Sequence, residues 1–331
     1  TIEYFKKDSK DLLFDVSQPA SVGVTSIIQN IGKVTNSGVE IELDYNAFKN
    51  KDWSVSVGAN ATFVKNKIKN LPATMKENGY ISGSKKWLEG KSIYEFWLRQ
   101  WHGVDPQTGD GLYVADVSKY NQGNIGTGDG NITQSQFDEY KKTVVTIDGK
   151  ELTNSYTYAK YDFSGSSIPD VFGGFNVRVS YKNFDLAAVF SYQLGGQVLD
   201  TNYATMMSMT EFGYAQSPDL LKAWKQAGDI TEVPRIDNSA AHTTNIGQSY
   251  STRWLTSSDY LNLRSVTIGY QFPKAWLSKV MLKSARLNLT AENLFMLKAR
   301  QGLNPMANYS GVTYNEYMPS RNITLGLNVS F

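Results

Sequence analysis

The chain has 331 residues, enough for two ordinary domains or one large all-β domain. A formal charge of +2 gives no reason to invoke nucleic acid or an acidic substrate, and the absence of cysteine excludes a disulfide framework or a thiolate metal site. Aromatics are abundant (Tyr 20, Phe 15, Trp 7) at a mean hydropathy of −0.37, and no stretch approaches the roughly 20 apolar residues of a membrane helix.

Thr1–Phe14 opens directly in strand-like alternation, with neither the charged nor the apolar segment of a signal peptide, so the chain is expected to begin partway through a larger protein. Val39, Ile41, Leu43, Tyr45 and Ala47 then share one face, with Glu40, Glu42, Asp44 and Asn46 opposite. After the polar turn Lys49–Asp52, Trp53, Val55, Val57, Ala59, Ala61 and Phe63 repeat the pattern against Ser54, Ser56, Gly58, Asn60 and Thr62, which predicts a hairpin. A second hairpin joins Val171–Lys182 to Phe184–Leu194. Tyr260–Phe272 alternates cleanly in its second half, and Ala285–Phe295 follows a short segment containing Pro273. The chain closes on Asn322–Phe331, where Ile323, Leu325, Leu327, Val329 and Phe331 face away from Asn322, Thr324, Gly326, Asn328 and Ser330.

Strict alternation with small neutral groups on the polar side suits the wall of a wide barrel, in which alternate residues meet lipid. About eight spans of this length are present, each near what a tilted membrane strand needs. Short connections (Lys49–Asp52, Tyr181–Asn183, Pro273–Lys283) alternate with long ones (Asp15–Ser37, Asn70–Asp170, Gly195–Asp259, Met296–Ser320), as when one side has tight turns and the other large loops. Parity places the strand-like stretch Ser92–Val104 inside a large loop; pairing it with a span near Ser155–Tyr161 is the alternative. A helix is expected in one loop, capped by Ser217, with Pro218 first and Leu220, Leu221 and Trp224 as its apolar face, ending at Gly228.

Catalytic and metal chemistry find little support. His102 and His242 are far apart and read as solvated loop residues. In Gly123–Ile132 a phosphate loop lacks its flanking strand, helix and lysine. A calcium loop centred on Asp129-Gly130 would put Ile125 where an oxygen is required, so a plain loop is expected. Loop aromatics, namely Trp87, Trp97, Trp101 and Tyr113, or Tyr203, Phe212 and Tyr214, are the candidates for stacking on sugar rings or peptide side chains, against loop packing or interfacial anchoring. Inward Glu40, Glu42, Arg178, Arg286 and Glu292 would line a lumen of both signs. No cofactor is implied.

Ordered motifs along the chain resemble the SusC/RagA family of TonB-dependent outer-membrane transporters of the Bacteroidota. They are Asn30–Glu40, Trp53–Ser56 with Asn66–Ile68, Gly103–Gly109, Ile168–Phe175, Ser258–Tyr270, Ala291–Phe295 and the terminal strand. The resemblance implies an all-β fold: a transmembrane antiparallel β-barrel, with residues 1–331 as about the last eight strands of a roughly 22-stranded barrel with long extracellular loops. Plug and N-terminal domains have no match in these residues. It also implies a multi-pass protein of a Gram-negative outer membrane that imports a glycan or a peptide and is not an enzyme. Its partners would be a SusD-like surface lipoprotein, outer-membrane lipid and, through an N-terminal region, the TonB–ExbB–ExbD complex. Phe331 would be the outer-membrane assembly signal. The rival is a complete small outer-membrane barrel with adhesive or structural loops, which requires the first and last strands to pair.

Overall fold

The computed structural model describes residues 1–17, 26–128, 130–208, 213, 215–237, 239, 242, 245, 247, 250–307, 309–314 and 316–331. Asp129, Phe212 and Tyr214 lie outside the described residues. The strands in chain order begin with β1 (Ile2–Ser17), β2 (Ser26–Lys49) and β3 (Trp53–Asn70). The first long connection holds β4 (Tyr80–Ser82), β5 (Lys85–Trp87), β6 (Glu95–Arg99), β7 (Trp101–Val104), β8 (Gly111–Val114), β9 (Val144–Ile147), β10 (Lys150–Thr153) and β11 (Tyr161–Ser166). Then come β12 (Val171–Tyr181), β13 (Phe184–Leu194), β14 (Gln197–Leu199), β15 (Leu255–Ser257), β16 (Tyr260–Gln271), β17 (Ser284–Glu292), β18 (Met296–Lys298) and β19 (Asn322–Ser330).

Eight of these form one continuous antiparallel path, β1-β2-β3-β12-β13-β16-β17-β19, with β18 joined to β16 off the path. They are the eight spans read from the alternation. The sheet is open, since β1 and β19 are its two ends and do not pair, and this removes the small closed barrel. Most of the stretch expected to be a loop at Asp15–Ser37 is instead strand: β1 runs to Ser17 and β2 starts at Ser26, paired in register Ser17↔Ser26.

Register carries one face through the whole sheet. Val39 pairs with Phe63, Val57 with Val177, Val177 with Ala188, Ala188 with Val266, Val266 with Ala291 and Ala291 with Ile323. This face is apolar and uncovered, with Leu43, Ile268, Leu289, Leu325 and Leu327 all exposed. Two bulges correct the alternation. Asn46 pairs with Ser56 but Phe48 with Val55, so Ala47 is looped out and Phe48 takes its place on the apolar face. Val189 pairs with Ser265 but Phe190 with Leu263, so a bulge at Arg264 accounts for the irregular first half of β16.

At the short-turn edge the apolar face ends in rings. Trp53 and Tyr181 lie 4.3 Å apart, Phe184 and Tyr270 4.5 Å, and Tyr270 and Phe272 5.1 Å. At the far edge the row is Tyr4, Val39 and Phe63. At about 3.3 Å per residue, Trp53 and Phe63 stand roughly 33 Å apart along β3, or about 25 Å across a layer at the usual ~40° tilt.

The opposite face is polar and holds Glu40, Glu42, Arg178, Arg286 and Glu292 as expected. Arg286 of β17 reaches over β16 to Asp185 of β13 at 2.6 Å, and its Nε donates to Asn288 Oδ1 at 2.7 Å. Gly269 makes this possible: a Cβ there would sit 2.2 Å from Arg286 Nη2 and 2.7 Å from Asp185 Oδ2. Gly58 likewise clears the space between Asp44 of β2 and Asn176 of β12.

The short turns are locally determined. Asn50 Oδ1 accepts from the N–H groups of Asp52 (2.9 Å) and Trp53 (2.7 Å), and Lys182 adopts φ 51° in the two-residue turn between β12 and β13. The long connections fold on one another. Phe96 and Leu98 of the first, Leu199, Leu220 and Trp254 of the second and Val312 of the third share one buried core. Ser92–Val104 falls here, outside the large sheet. Both readings of it contain something: β6 does pair with β11, but within a four-stranded loop sheet, β11-β6-β5-β4.

The helix expected from Ser217 is a single 3₁₀ turn, Pro218–Lys222, with the Ser217 hydroxyl accepting from Asp219 N–H; it stops before Trp224, and Leu221 stays exposed. The longest helix among the described residues, Gln134–Thr143, opens on a capping box formed by Thr133 and Gln136, a spacing visible in the sequence. No helix among the described residues is long and apolar enough to cross a membrane.

Candidate ligand-facing site in the loops

Alternation in β6 sends Phe96 and Leu98 into the loop core, both 0 % exposed, and turns Trp97 and Arg99 to the other side. β11 pairs with it in register Tyr161↔Arg99 and Phe163↔Trp97. The result is a half-buried face built of rings and cations. Trp97 stacks on Tyr161 (centroids 6.2 Å, 13°) and meets Phe163 edge-on at 4.9 Å. Lys86 Nζ lies 4.1 Å above Trp97, Lys91 Nζ 4.6 Å above Phe163, and Arg99 packs on Tyr161 at 4.6 Å and on Tyr156 at 4.8 Å. Arg99 is held by its Nε donating to the Tyr156 carbonyl at 2.9 Å. Burial pushes the Tyr161 phenol up, so it stays a neutral donor. Such a face offers flat apolar area for a ring and positive charge for a carboxylate.

The three candidate tryptophans are not brought together. Trp87 lies on the core side of β5, packed on Val34, Ile68, Leu71 and Met75, with its Nε1 donating to the Ile93 carbonyl at 3.2 Å. Trp101 sits in another sheet, edge-on to Tyr113 at 5.1 Å, under Arg253 at 4.6 Å. Arg253 is clamped between Trp101 and Trp254, and burial pushes its guanidinium down to about 10 and the Tyr113 phenol up to about 12. Trp97 and Trp101 thus each have a ring edge-on and a cation over the indole, in two separate loop sheets, whereas Trp87 packs on the small core beneath β5. Tyr161, Phe163, Lys86, Lys91 and Arg99 were missed because their grouping depends on strand pairing some 60 positions apart; the Tyr161/Phe163 spacing was the one local hint.

A second feature lies where the polar face of the sheet meets the loops. A cavity of about 260 Å³ is lined by Phe172, Gln193 and Tyr260 from β12, β13 and β16 and by Gln197, Met306 and Tyr309 from the loops. Gln197 Oε1 is buried without a hydrogen-bond partner.

The histidines divide. His102 is exposed, as expected, but His242 is buried, with Nε2 2.7 Å from the Arg235 carbonyl, because Arg235 and Asp110 from two loops close around it. No group of three His, Cys, Asp or Glu able to hold a metal is present among the described residues. Near Gly123–Ile132, Asn124 Nδ2 donates to the Ser118 and Lys119 carbonyls.

An open antiparallel sheet with one apolar exposed face, one polar face, short turns at one edge and folded loops at the other defines a segment of transmembrane β-barrel wall. Residues 1–124 match the family model described as TonB dependent receptor-like, beta-barrel. TonB-dependent receptor P3 of Formosa agariphila is 27 % identical over 349 residues, covering 100 % of this chain and 32 % of that protein. TonB-dependent receptor SusC of Bacteroides thetaiotaomicron is 24 % identical, covering 99 % of this chain and 29 % of that protein. The RagAB peptide importer in its closed-closed state superposes with a TM-score of 0.76 at 25 % identity, covering 100 % of this chain and 33 % of that one. Over its whole length the chain is similar to TonB-dependent receptors and to the RagAB peptide importer, it matches the receptor-barrel model over residues 1–124, and it spans about a third of the length of the relatives it matches.

Proposed function

We propose that residues 1–331 are the C-terminal part of the barrel domain of an energised importer in a Gram-negative outer membrane. The observation that carries this reading is the continuous apolar face, about 25 Å tall between its rings, on a sheet left open at both edges. Such a sheet needs further strands to close and a lipid phase to cover it. Likeness to receptors of this family and to a peptide importer supports the rest of the reading.

Import would proceed by binding, gating and a conformational step without covalent chemistry. A SusD-like lipoprotein over the folded loops would deliver a peptide or glycan to the face around Trp97, and TonB coupling would release it inward past the cavity at Tyr260. Rings interleaved with cations favour a ligand carrying flat apolar groups and carboxylates, which suits a peptide better than a neutral glycan. The test is uptake of labelled peptides and oligosaccharides by cells carrying the full-length receptor, with and without functional TonB. TonB-dependent uptake that falls by about two- to tenfold in Trp97→Ala is expected, in keeping with the energy of one stacked aromatic contact. Uptake indifferent to both TonB and Trp97 would sink the reading.

Phe331 is 80 % exposed immediately beyond β19 and is read as the assembly signal. Deleting it is expected to lower the amount of receptor in the outer membrane, while the molecules that do insert keep their ligand preference. Normal membrane levels in the deletion would remove the role.

A further inference from the structure

The apolar face of β1, β2 and β3 does not stop at the row Tyr4, Val39, Phe63. It continues toward the loops and changes chemistry at the next outward position of each strand, two residues on. The first row beyond is Lys6, Ser37 and Lys65 in register, the second is Asp8, Thr35 and Lys67, and the third pairs Lys10 with Lys33. Alternation puts all of them on the same side as the apolar residues below, and Lys6, Lys10, Lys65 and Lys67 are exposed. Five lysines therefore face outward with one carboxylate among them. Asp8 is already engaged, accepting from Thr35 Oγ1 at 2.6 Å and pairing with Lys33 at 3.2 Å. At about 4.8 Å between strands, Lys6 and Lys65 stand roughly 10 Å apart on either side of Ser37, close enough for both ammonium groups to reach one phosphate.

Nothing of the kind occurs elsewhere on this face. Among the described residues of β12, β13, β16, β17 and β19, no lysine points to the apolar side, and the corresponding upper positions are Tyr192, Leu261 and Ile323. Like charges gathered on one sheet face repel, so the grouping costs stability unless an anion lies among them. Its position decides which anion. The lysines begin one register row above the last apolar row, at the height where headgroups meet the barrel wall.

We propose that Lys6, Lys10, Lys33, Lys65 and Lys67 form a binding surface for the phosphate groups of a phosphorylated glycolipid in the outer leaflet, whose acyl chains run down the apolar face past Tyr4, Val39 and Phe63. The surface anchors β1–β3 in the leaflet and leaves ligand import to the loops. It rests on the outer-membrane reading and adds a lipid site to it.

The full-length receptor in a neutral detergent, mixed with bis-phosphorylated lipid A and read by native mass spectrometry, tests the surface. Lipid A is expected to bind, its dephosphorylated form at least tenfold more weakly. Removing lysines weakens binding by roughly fivefold each, so the triple variant Lys6→Gln, Lys33→Gln, Lys65→Gln should lose about a hundredfold. The corresponding Lys→Arg triple retains binding, and raised salt weakens it. Equal binding of the two lipids by the unaltered receptor overturns the proposal without recourse to any variant, as does a Gln triple that binds normally. Displacement of lipid A by inorganic phosphate at equal phosphate concentration overturns the lipid as the source. A receptor that stays monodisperse without detergent removes the membrane reading itself, a result distinct from each of these.

Discussion

Leu325 in β19 and Leu98 in β6 are both strand leucines, yet the first is 68 % exposed and the second 0 %. The contrast holds across the molecule. In the large sheet the apolar side chains point away from the protein and the polar ones toward its interior; in the loops the apolar side chains point in, as in a water-soluble domain. One chain is thus built for two solvents, and the change falls within a few residues of Phe63, Val171, Leu194 and Tyr260, where the sheet meets the loops. The sheet depends on a lipid phase to cover its apolar face, whereas the loops carry their own core.

Substitutions that exchange the two logics separate them. Leu98→Ala should cost about 2–5 kcal/mol in the loop core, read as easier denaturant unfolding by tryptophan fluorescence, while heat-modifiable migration of the barrel is unchanged. A matching loss of barrel assembly would show that the loops are not an independent core. Leu325→Arg on the lipid-facing side should cost up to about 4 kcal/mol, read as poorer refolding into lipid vesicles, and leave loop unfolding alone. An unimpaired Leu325→Arg receptor would mean that this face does not meet lipid.

A third effect concerns a charge placed in the loop core. Lys85 is buried with its Nζ donating to the Tyr94 carbonyl at 2.8 Å and to Ser167 Oγ at 3.2 Å, 3.1 Å from the Phe96 ring centroid. Burial pushes its ammonium down to about 7, against the opposing pull of Glu95. From about pH 7 up to the ordinary lysine range the unfolded chain holds a proton that the folded loop gives up. Loop stability therefore rises with pH across that window, and the full penalty is present below it. Lys85→Met should flatten this slope in urea titrations repeated between pH 7 and 10. A slope unchanged by Lys85→Met would place the pH dependence on another group.

The sequence could be read for the sheet because each strand meets two unlike environments along its whole length, and side chains with a period of two record that directly. Ile323–Val329 and Trp53–Phe63 show it without interruption. Where the reading slipped, the cause was pairing. Ala47 is apolar and in phase, but the bulge that sends Phe48 outward is set by the register of β2 on β3. The loops were less legible because their core joins Leu98, Leu199 and Val312, which no local window contains together. The capping box at Thr133 and Gln136 is a stronger local helix signal than the Ser217-Pro218 start, whose segment closes only a 3₁₀ turn.

By itself the sequence determined the number of spans, their two faces and the inequality of the connections, since these follow from local alternation and turn chemistry. The tertiary structure alone decided three things. It left the sheet open between β1 and β19, gathered Trp97, Tyr161, Phe163 and three cations on one loop face while placing Trp87 and Trp101 elsewhere, and aligned lysines from three strands in rows above the apolar face. Each depends on which residue of one strand stands opposite which residue of another. That register is set by cross-strand hydrogen bonds and side-chain packing between segments far apart in the chain.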